Sequence, residues 1–355
     1  MLRVYSSRDE LPDGEAHVLA LAPLWGRPTP SPWPQPEYAD ALAASDVFVA
    51  SELRDADVAI FPRDWKQVVA SSGGVERAAA FAATARAAGT PAAYFWASDS
   101  TDAFPLDDAH VFRPSLFRSR RTRREFALPG FHEDLLAHVG GELPVRTWQE
   151  RPTVSFCGYA VTDPRPVGTI ARLRRVVGDV RRAVAVRAGR PLRADIFVRR
   201  QALDALSTQS SVRTNIVLRD EYGGVAAFYP RFDPDLWNRL RAEYVANMVG
   251  SDYVLCTRGH GNYSYRLYEA LSLGRIPVFV DTDCVLPYDF AVDWPSYGVW
   301  LDRRDVPRIA ERIRDFHAQL SPDAFVALQR RCRTFWEDYL SPLGYFSNFH
   351  RHFRH

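Results

Sequence analysis

The sequence predicts an α/β protein of two domains, each a parallel sheet flanked by helices. The chain's 355 residues exceed the usual size of one domain, and a hydrophobic content of 46% is enough to bury two cores. In both halves, short apolar runs bounded by turn residues alternate with longer helix-forming stretches, the signature of strand–helix–strand units.

In the first half, residues 2–5, 18–22, 47–50, 58–61 and 92–96 read as buried strands. Residues 75–88, alanine-rich, open after Gly73-Gly74 and close at Gly89, which predicts a crossover helix between two parallel strands. The segment 31–37, SPWPQPE, is expected as a surface loop because its three prolines each remove a backbone donor. Turn chemistry gathers around 142–152, and TVSFCGY at 153–159 then starts a new strand. The predicted boundary falls near residue 150, giving an N-terminal domain 1–150, a C-terminal domain 151–330 and a helical tail 331–355 packing back across them.

The second half repeats the logic with a helix at 167–188, strands at 195–198 and 215–218, and an amphipathic helix at 235–249. A strand at 253–256 then runs through a glycine turn at 259–262 into a helix at 263–273 and a strand at 276–280. The last fifty or so residues carry two helical periods, 306–320 and 322–340, and no internal repeat is visible.

Composition excludes several classes. A net charge of +2 gives no global footprint for nucleic acid. Lys66 is the one lysine among 45 basic residues, a bias that carries no functional vote. Cys157, Cys256, Cys284 and Cys332 lack C-x-x-C spacing, so buried thiols in a reducing compartment are expected rather than zinc or disulfides. The opening MLRVYSSRDELPDGE lacks a signal peptide's apolar stretch, and no segment reaches the roughly 18 apolar residues of a membrane span. The expected location is the cytoplasm.

The segment richest in chemistry is DYVLCTRGHGNYSYRLYEALSLGRIPVFVDTD. Gly259 and Gly261 let the backbone approach a ligand, and the first amides of the following helix favour a diphosphate. Arg258 adds a charge-assisted contact, and Glu269 is a candidate acceptor for two ribose hydroxyls. The same residues also read as a tight turn with surface ion pairs. Gly259-x-Gly261-x-x-Ser264, with Asp281 ending the next strand, nearly reproduces a dinucleotide fingerprint and points to NAD. Asp281 and Asp283 are spaced to hold Mg²⁺ or Mn²⁺, or to cap a turn.

The run RGHGNYSYRLYEALSLGRIPVFVDTDCVLPYD, from Arg258 to Asp289, resembles the core motif of exostosin-like proteins, glycosyltransferase family 47. The resemblance is strong over 251–294, fainter over Val154 to Tyr159, Val217 to Asp220 and Val111 to Ser115, and nearly absent before residue 90. It implies a GT-B architecture, two Rossmann-like domains facing a central cleft, with inverting chemistry and no cofactor or obligatory metal. Carried onto the matching positions, it makes Arg258, Gly259, Gly261, Asn262, Ser264, Arg266 and Glu269 donor-binding candidates. Animal members are usually membrane-anchored, whereas this chain looks like a compact bacterial-type relative, so the wider family's acceptors do not carry over.

Inverting transfer needs a base to deprotonate the acceptor hydroxyl and electrophilic help for the departing diphosphate. Asp99, after the strand at 92–96, and Asp220, after that at 215–218, are the candidate catalytic bases, with capping or salt bridging as their alternative roles. His17 reads as structural. The arginine-rich run RPSLFRSRRTRR, 113–124, is a candidate surface for an acidic glycan or a lipid-linked acceptor at the inner membrane face, or a solvated charge cluster. The expected partners are thus a nucleotide-sugar and a glycan or lipid-linked glycan. The second reading is a catalytically silent glycan- or nucleotide-binding module of the same fold.

Overall fold

The computed structural model describes residues 1–30, 36–160, 196–219 and 233–353. The chain divides into two compact units. The first comprises Met1–Asp134, Cys284–Val292 and Thr334–His355, the second Leu135–Asp283 and Asp293–Arg333. Both are α/β, each on one parallel sheet, as the alternation of apolar runs and helix formers predicts.

The first unit runs β1 (Leu2–Tyr5), the short helices α1 (Ala22–Trp25) and α2 (Asp40–Ala43), β2 (Phe48–Ala50), β3 (Val58–Asp64), α3 (Trp65–Ala70), α4 (Gly74–Ala87), β4 (Ala92–Phe95), β5 (His110–Arg113) and β6 (Glu125–Ala127). Its strands lie in the order β2-β1-β3-β4-β5-β6, every pair parallel. A parallel sheet covered on both faces needs continuous apolar strands, and Val58 to Phe61 are accordingly buried without alternation. Helix α4 lays Ala78, Phe81, Ala82 and Ala85 against the sheet, and Tyr94 donates to the Ala78 carbonyl at 2.7 Å. Asp64 closes β3 and caps α3 through a reciprocal box with Gln67.

The strand expected at 18–22 is instead a 3-10 turn, Leu19–Leu21, running into α1. The run is wholly buried, so its apolar pattern cannot tell strand from turn, while Pro23 in the first turn and Gly26 at φ +82° set a short helical segment. Residues 31–35 of the proline segment lie outside the described residues, and Pro36–Ala39 forms a 3-10 turn. Strands β5 and β6 have no counterpart in the sequence reading.

The second unit runs β7 (Thr153–Tyr159), α5 (Ile196–Ser207), β8 (Arg213–Arg219), α6 (Pro234–Val249), β9 (Tyr253–Cys256), α7 (Tyr265–Ser272), β10 (Ile276–Asp281), β11 (Val299–Asp302), α8 (Ile309–Ala318) and α9 (Pro322–Phe335). Its order is β11-β10-β9-β7-β8, again all parallel. The strand expected at 195–198 is overturned: residues 196–198 open α5, whose Val198, Ala202 and Leu206 recur every four residues and are buried. Asp195 and the helix expected at 167–188 lie outside the described residues. Buried Arg275 ties the α7–β10 turn to the Leu273, Ser251 and Pro144 carbonyls. His317 of α8 bridges the Tyr253 hydroxyl and the Gln149 carbonyl.

The end of the chain completes the first unit. A π-turn, Trp336–Leu340, leads into α10 (Pro342–Ser347) and a 3-10 turn, Phe349–Phe353. Tyr345, Phe346 and Phe349 are buried in the first unit's core, with Phe349 4.6 Å from Phe112 and 6.0 Å from Phe48 and Phe95, ring centre to ring centre. Among the described residues, no helix is long and apolar enough to cross a membrane.

Candidate functional site

In the second unit, β7 has β8 on one side and β9 on the other, so the strand order reverses between β7 and β9. At such a reversal the connections leave in opposite directions and open a crevice beyond the carboxyl ends of the two strands. The segment Thr257 to Ser264 follows β9 directly into that place, and Gly158-Tyr159 ends β7 beside it.

The loop is held from three sides. Arg199, on α5 and 8% exposed, donates to the Tyr159 carbonyl at 2.8 Å, to Thr257 Oγ1 at 3.1 Å and to the Arg258 carbonyl at 3.0 Å, spanning the two strand ends. Thr282, after β10, donates to Asn262 Oδ1 at 2.8 Å, and the Gly259 amide closes the turn onto the Tyr263 carbonyl at 3.1 Å. Arg258 lies under the loop, donating to the His260 carbonyl at 3.1 Å. An added Cβ at Gly259 would meet open space and its φ is ordinary, so nothing in the protein itself demands glycine there.

Helix α7 starts at Ser264, which is buried and in extended conformation at the N-cap but makes no side-chain capping hydrogen bond. Its first-turn amides therefore lack the usual hydroxyl cap. Two residues on, Arg266 lies over the Phe156 ring at 4.2 Å and donates from Nη2 to the Cys157 carbonyl at 2.7 Å. Its Nε is buried without a hydrogen-bond partner among the described residues. Burial pulls the Arg266 pKa down, but Tyr244, Cys256 and Glu269 together hold it above its ordinary value, so it stays a cation. Gly158, at φ +148°, holds a backbone conformation that L side chains rarely adopt, and an added Cβ would stand a tight 3.0 Å from Arg266 Nη2.

Glu269, one turn further and 8% exposed, accepts from Arg241 Nη1 at 2.9 Å and from the Tyr244 hydroxyl at 2.5 Å, both on α6. Burial first, and the Glu269 charge second, push the Tyr244 hydroxyl well above its usual range, so it remains the proton donor in this pair.

Of the donor-binding candidates, all seven residues from Arg258 to Glu269 fall on this one loop and helix. Asn262 is a latch to Thr282, and Glu269 is anchored by α6. Asp281 ends β10 opposite Asp302, and Asp283 sits at φ +65° just beyond. Among the described residues, no cluster of three or more His, Cys, Asp or Glu side chains is placed to hold a metal ion. Asp99 is on the turn after β4 in the first unit, and Asp220 lies outside the described residues. His17 is buried, its Nδ1 3.0 Å from the Val18 carbonyl and its ring edge-on to Trp25. Arg199, Arg241 and Tyr244 escape the sequence reading; the spacing of three between Arg241 and Tyr244 on the predicted 235–249 helix was the available signal.

The profile of the exostosin GT47 domain family matches residues 181–316, which contain this loop, helix and their partners on α5 and α6. Over those residues the chain is similar to the exostosin GT47 domain family. Its relatives include exostosin-1 of Drosophila melanogaster, 29% identical over 113 residues, which cover 32% of this chain and 14% of that protein. A probable glucuronosyltransferase of Oryza sativa subsp. japonica is 43% identical over 75 residues, 21% of this chain and 17% of the rice protein. A probable β-1,4-xylosyltransferase of Arabidopsis thaliana is 41% identical over 64 residues, 18% and 15% of the two chains. The matched part is thus less than a fifth of each relative's length. The solved structure of TarM superposes with a TM-score of 0.37 at 11% identity, covering 75% of this chain and 51% of TarM.

Proposed function

We propose that this chain is an inverting glycosyltransferase that takes a sugar from a nucleotide-diphosphate donor and passes it to a hydroxyl of a glycan in bacterial surface polysaccharide or glycoconjugate synthesis. The observation that carries the reading is the position of the Arg258–Glu269 segment at the strand-order reversal of the second unit, where open α/β sheets bind ligands. The uncapped first turn of α7 and the buried guanidinium of Arg258 suit a diphosphate, and open space at Gly259 suits its close approach. The relatives' names, glucuronosyltransferase and xylosyltransferase, agree with sugar transfer as the reaction class.

In the proposed reaction the acceptor oxygen attacks the anomeric carbon as the bond to the diphosphate breaks, with inversion. The acceptor proton passes to a carboxylate base, Asp99 or Asp220. The charge left on the departing diphosphate is taken up by Arg258 and the α7 amides, which supply the electrophilic help without an obligatory metal. The enzyme is proposed to be cytoplasmic.

The test is a panel of UDP-, GDP-, ADP- and dTDP-sugars, with NAD as comparator, titrated against the chain in EDTA and again with Mn²⁺. Selective binding of one nucleotide-sugar in EDTA, followed by an inverted anomeric signal in the NMR spectrum of the transfer product, is the expected result. Binding that requires Mn²⁺ would overturn the metal-free part of the reading, and binding of NAD alone would overturn the transferase.

A further inference from the structure

The first unit holds a cavity of its own. Parallel neighbours β4, β5 and β6 are joined by two crossovers, residues 96–109 and 114–124, and neither contains the helix that such connections usually carry. Where a helix would cover the sheet, the two loops instead enclose a cavity of about 540 Å³, within the size range of small-ligand pockets.

Its lining combines the apolar side chains of Phe104, Leu106, Leu116 and Phe117 with arginines of the run 113–124. Three of those arginines are neutralised. Arg113 pairs with Glu125 at 2.8 Å, Arg121 with Asp289 at 2.9 Å, and Arg124 with Asp108 at 3.0 Å. Arg120 and Arg123 are different: both line the cavity and are exposed, and neither side chain makes an ion pair or hydrogen bond among the described residues. Arg120 lies over the Phe117 ring at 5.4 Å, which brings its cation against the apolar wall. One lining carboxylate, Asp107, is likewise unpaired among the described residues, so the rim keeps a small positive excess.

We propose that this cavity binds an organophosphate whose phosphate is joined to an apolar chain, the phosphate held by Arg120 and Arg123 and the first carbons of the chain lying on Phe104 and Phe117. Paired guanidinium groups suit phosphate oxygens, and the apolar wall gives nothing to a free anion. The inference does not rest on the transferase reading, because it concerns residues of the other unit and needs no sugar donor.

Dodecyl phosphate, below its micellar concentration, is titrated calorimetrically into the full chain, with inorganic phosphate and neutral dodecyl glucoside as comparators. One site per chain is expected, weakened at least about tenfold in Arg120→Ala/Arg123→Ala, and weakened in the unaltered chain as salt is raised. Both arginines are exposed, and an unchanged melting temperature establishes that the double variant is folded. The salt series probes the charge contact in the unaltered chain and so stands apart from the variant. Unchanged affinity in the folded double variant, or no salt dependence, would overturn the proposal. So would inorganic phosphate binding as tightly as dodecyl phosphate, which removes the apolar wall from the site, or dodecyl glucoside binding as tightly, which removes the arginines.

Discussion

Glu269, a candidate donor-site residue, has a structural role that can be measured without any ligand. Its carboxylate takes hydrogen bonds from Arg241 and Tyr244, so it fixes α7 to α6. Glu269→Ala would leave a part-buried guanidinium and a buried hydroxyl without their partner, and is predicted to cost about 3 kcal/mol in urea unfolding. Glu269→Gln keeps the side-chain volume and an acceptor for Tyr244, and should cost about 1–2 kcal/mol while still weakening donor affinity. Equal stability of the alanine variant and the parent would contradict the anchoring role. Arg266→Lys is a second case: a lysine cannot both lie flat on Phe156 and reach the Cys157 carbonyl, and a loss of about 1–2 kcal/mol is expected, read from the same denaturation curves.

Elements differ in how much of themselves they declare in sequence. The β9–loop–α7–β10 succession is legible because each change of period is marked by a glycine, and the strands are short apolar runs buried on both faces. Gly274 ends α7 at φ +62°, where an added Cβ would stand 2.7 Å from a Leu143 methyl and 2.8 Å from the Gln329 carbonyl; Gly274→Ala should cost about 1–3 kcal/mol. An unchanged melting temperature for that variant would show that the turn relaxes freely. Residues 18–22 and 195–198 mislead because a short buried apolar run carries no period of its own. Strands β5, β6 and β11 span three or four residues each and carry charged or polar residues, His110 and Arg113, Glu125 and Asp302, which break the apolar runs that mark the other short strands. The arginines that hold the loop and Glu269 are hidden for another reason: in a chain with a single lysine, arginine is the default surface cation, so Arg199 and Arg241 do not stand out. Strand β5 also carries a pH response. Burial, and then the Arg124 charge, lower the His110 pKa from 6.5 to about 4, so the folded state prefers the neutral ring. That contribution is complete above pH 6.5 and is lost as the pH falls toward 4, about 3 kcal/mol at the limit. Urea midpoints across that range should fall less steeply in His110→Phe than in the parent, and parallel slopes would contradict it.

Over the whole chain, the two sheets are simple but the path between them is not. The chain returns to the first unit for Cys284–Val292 and again from Thr334 onward, and the last return places Tyr345, Phe346 and Phe349 in that unit's core. Each such side chain contributes about 1.5–3 kcal/mol on burial, so their joint loss approaches the stability of a whole domain. Truncation after Arg333 is therefore predicted to abolish slow hydrogen exchange in β1, β3 and β4, and to leave β9 and β10 protected for longer. Uniform loss across both units would contradict this division. The proposed function requires that a nucleotide-sugar bind at the strand-order reversal of the second unit. Hydrogen exchange read by mass spectrometry, with and without the best-binding member of the nucleotide-sugar panel at saturation, tests it directly. Slowed exchange is expected in peptides spanning residues 257–268 and at the end of β7. Protection confined to other segments, with residues 257–268 exchanging as in the free chain, would contradict it.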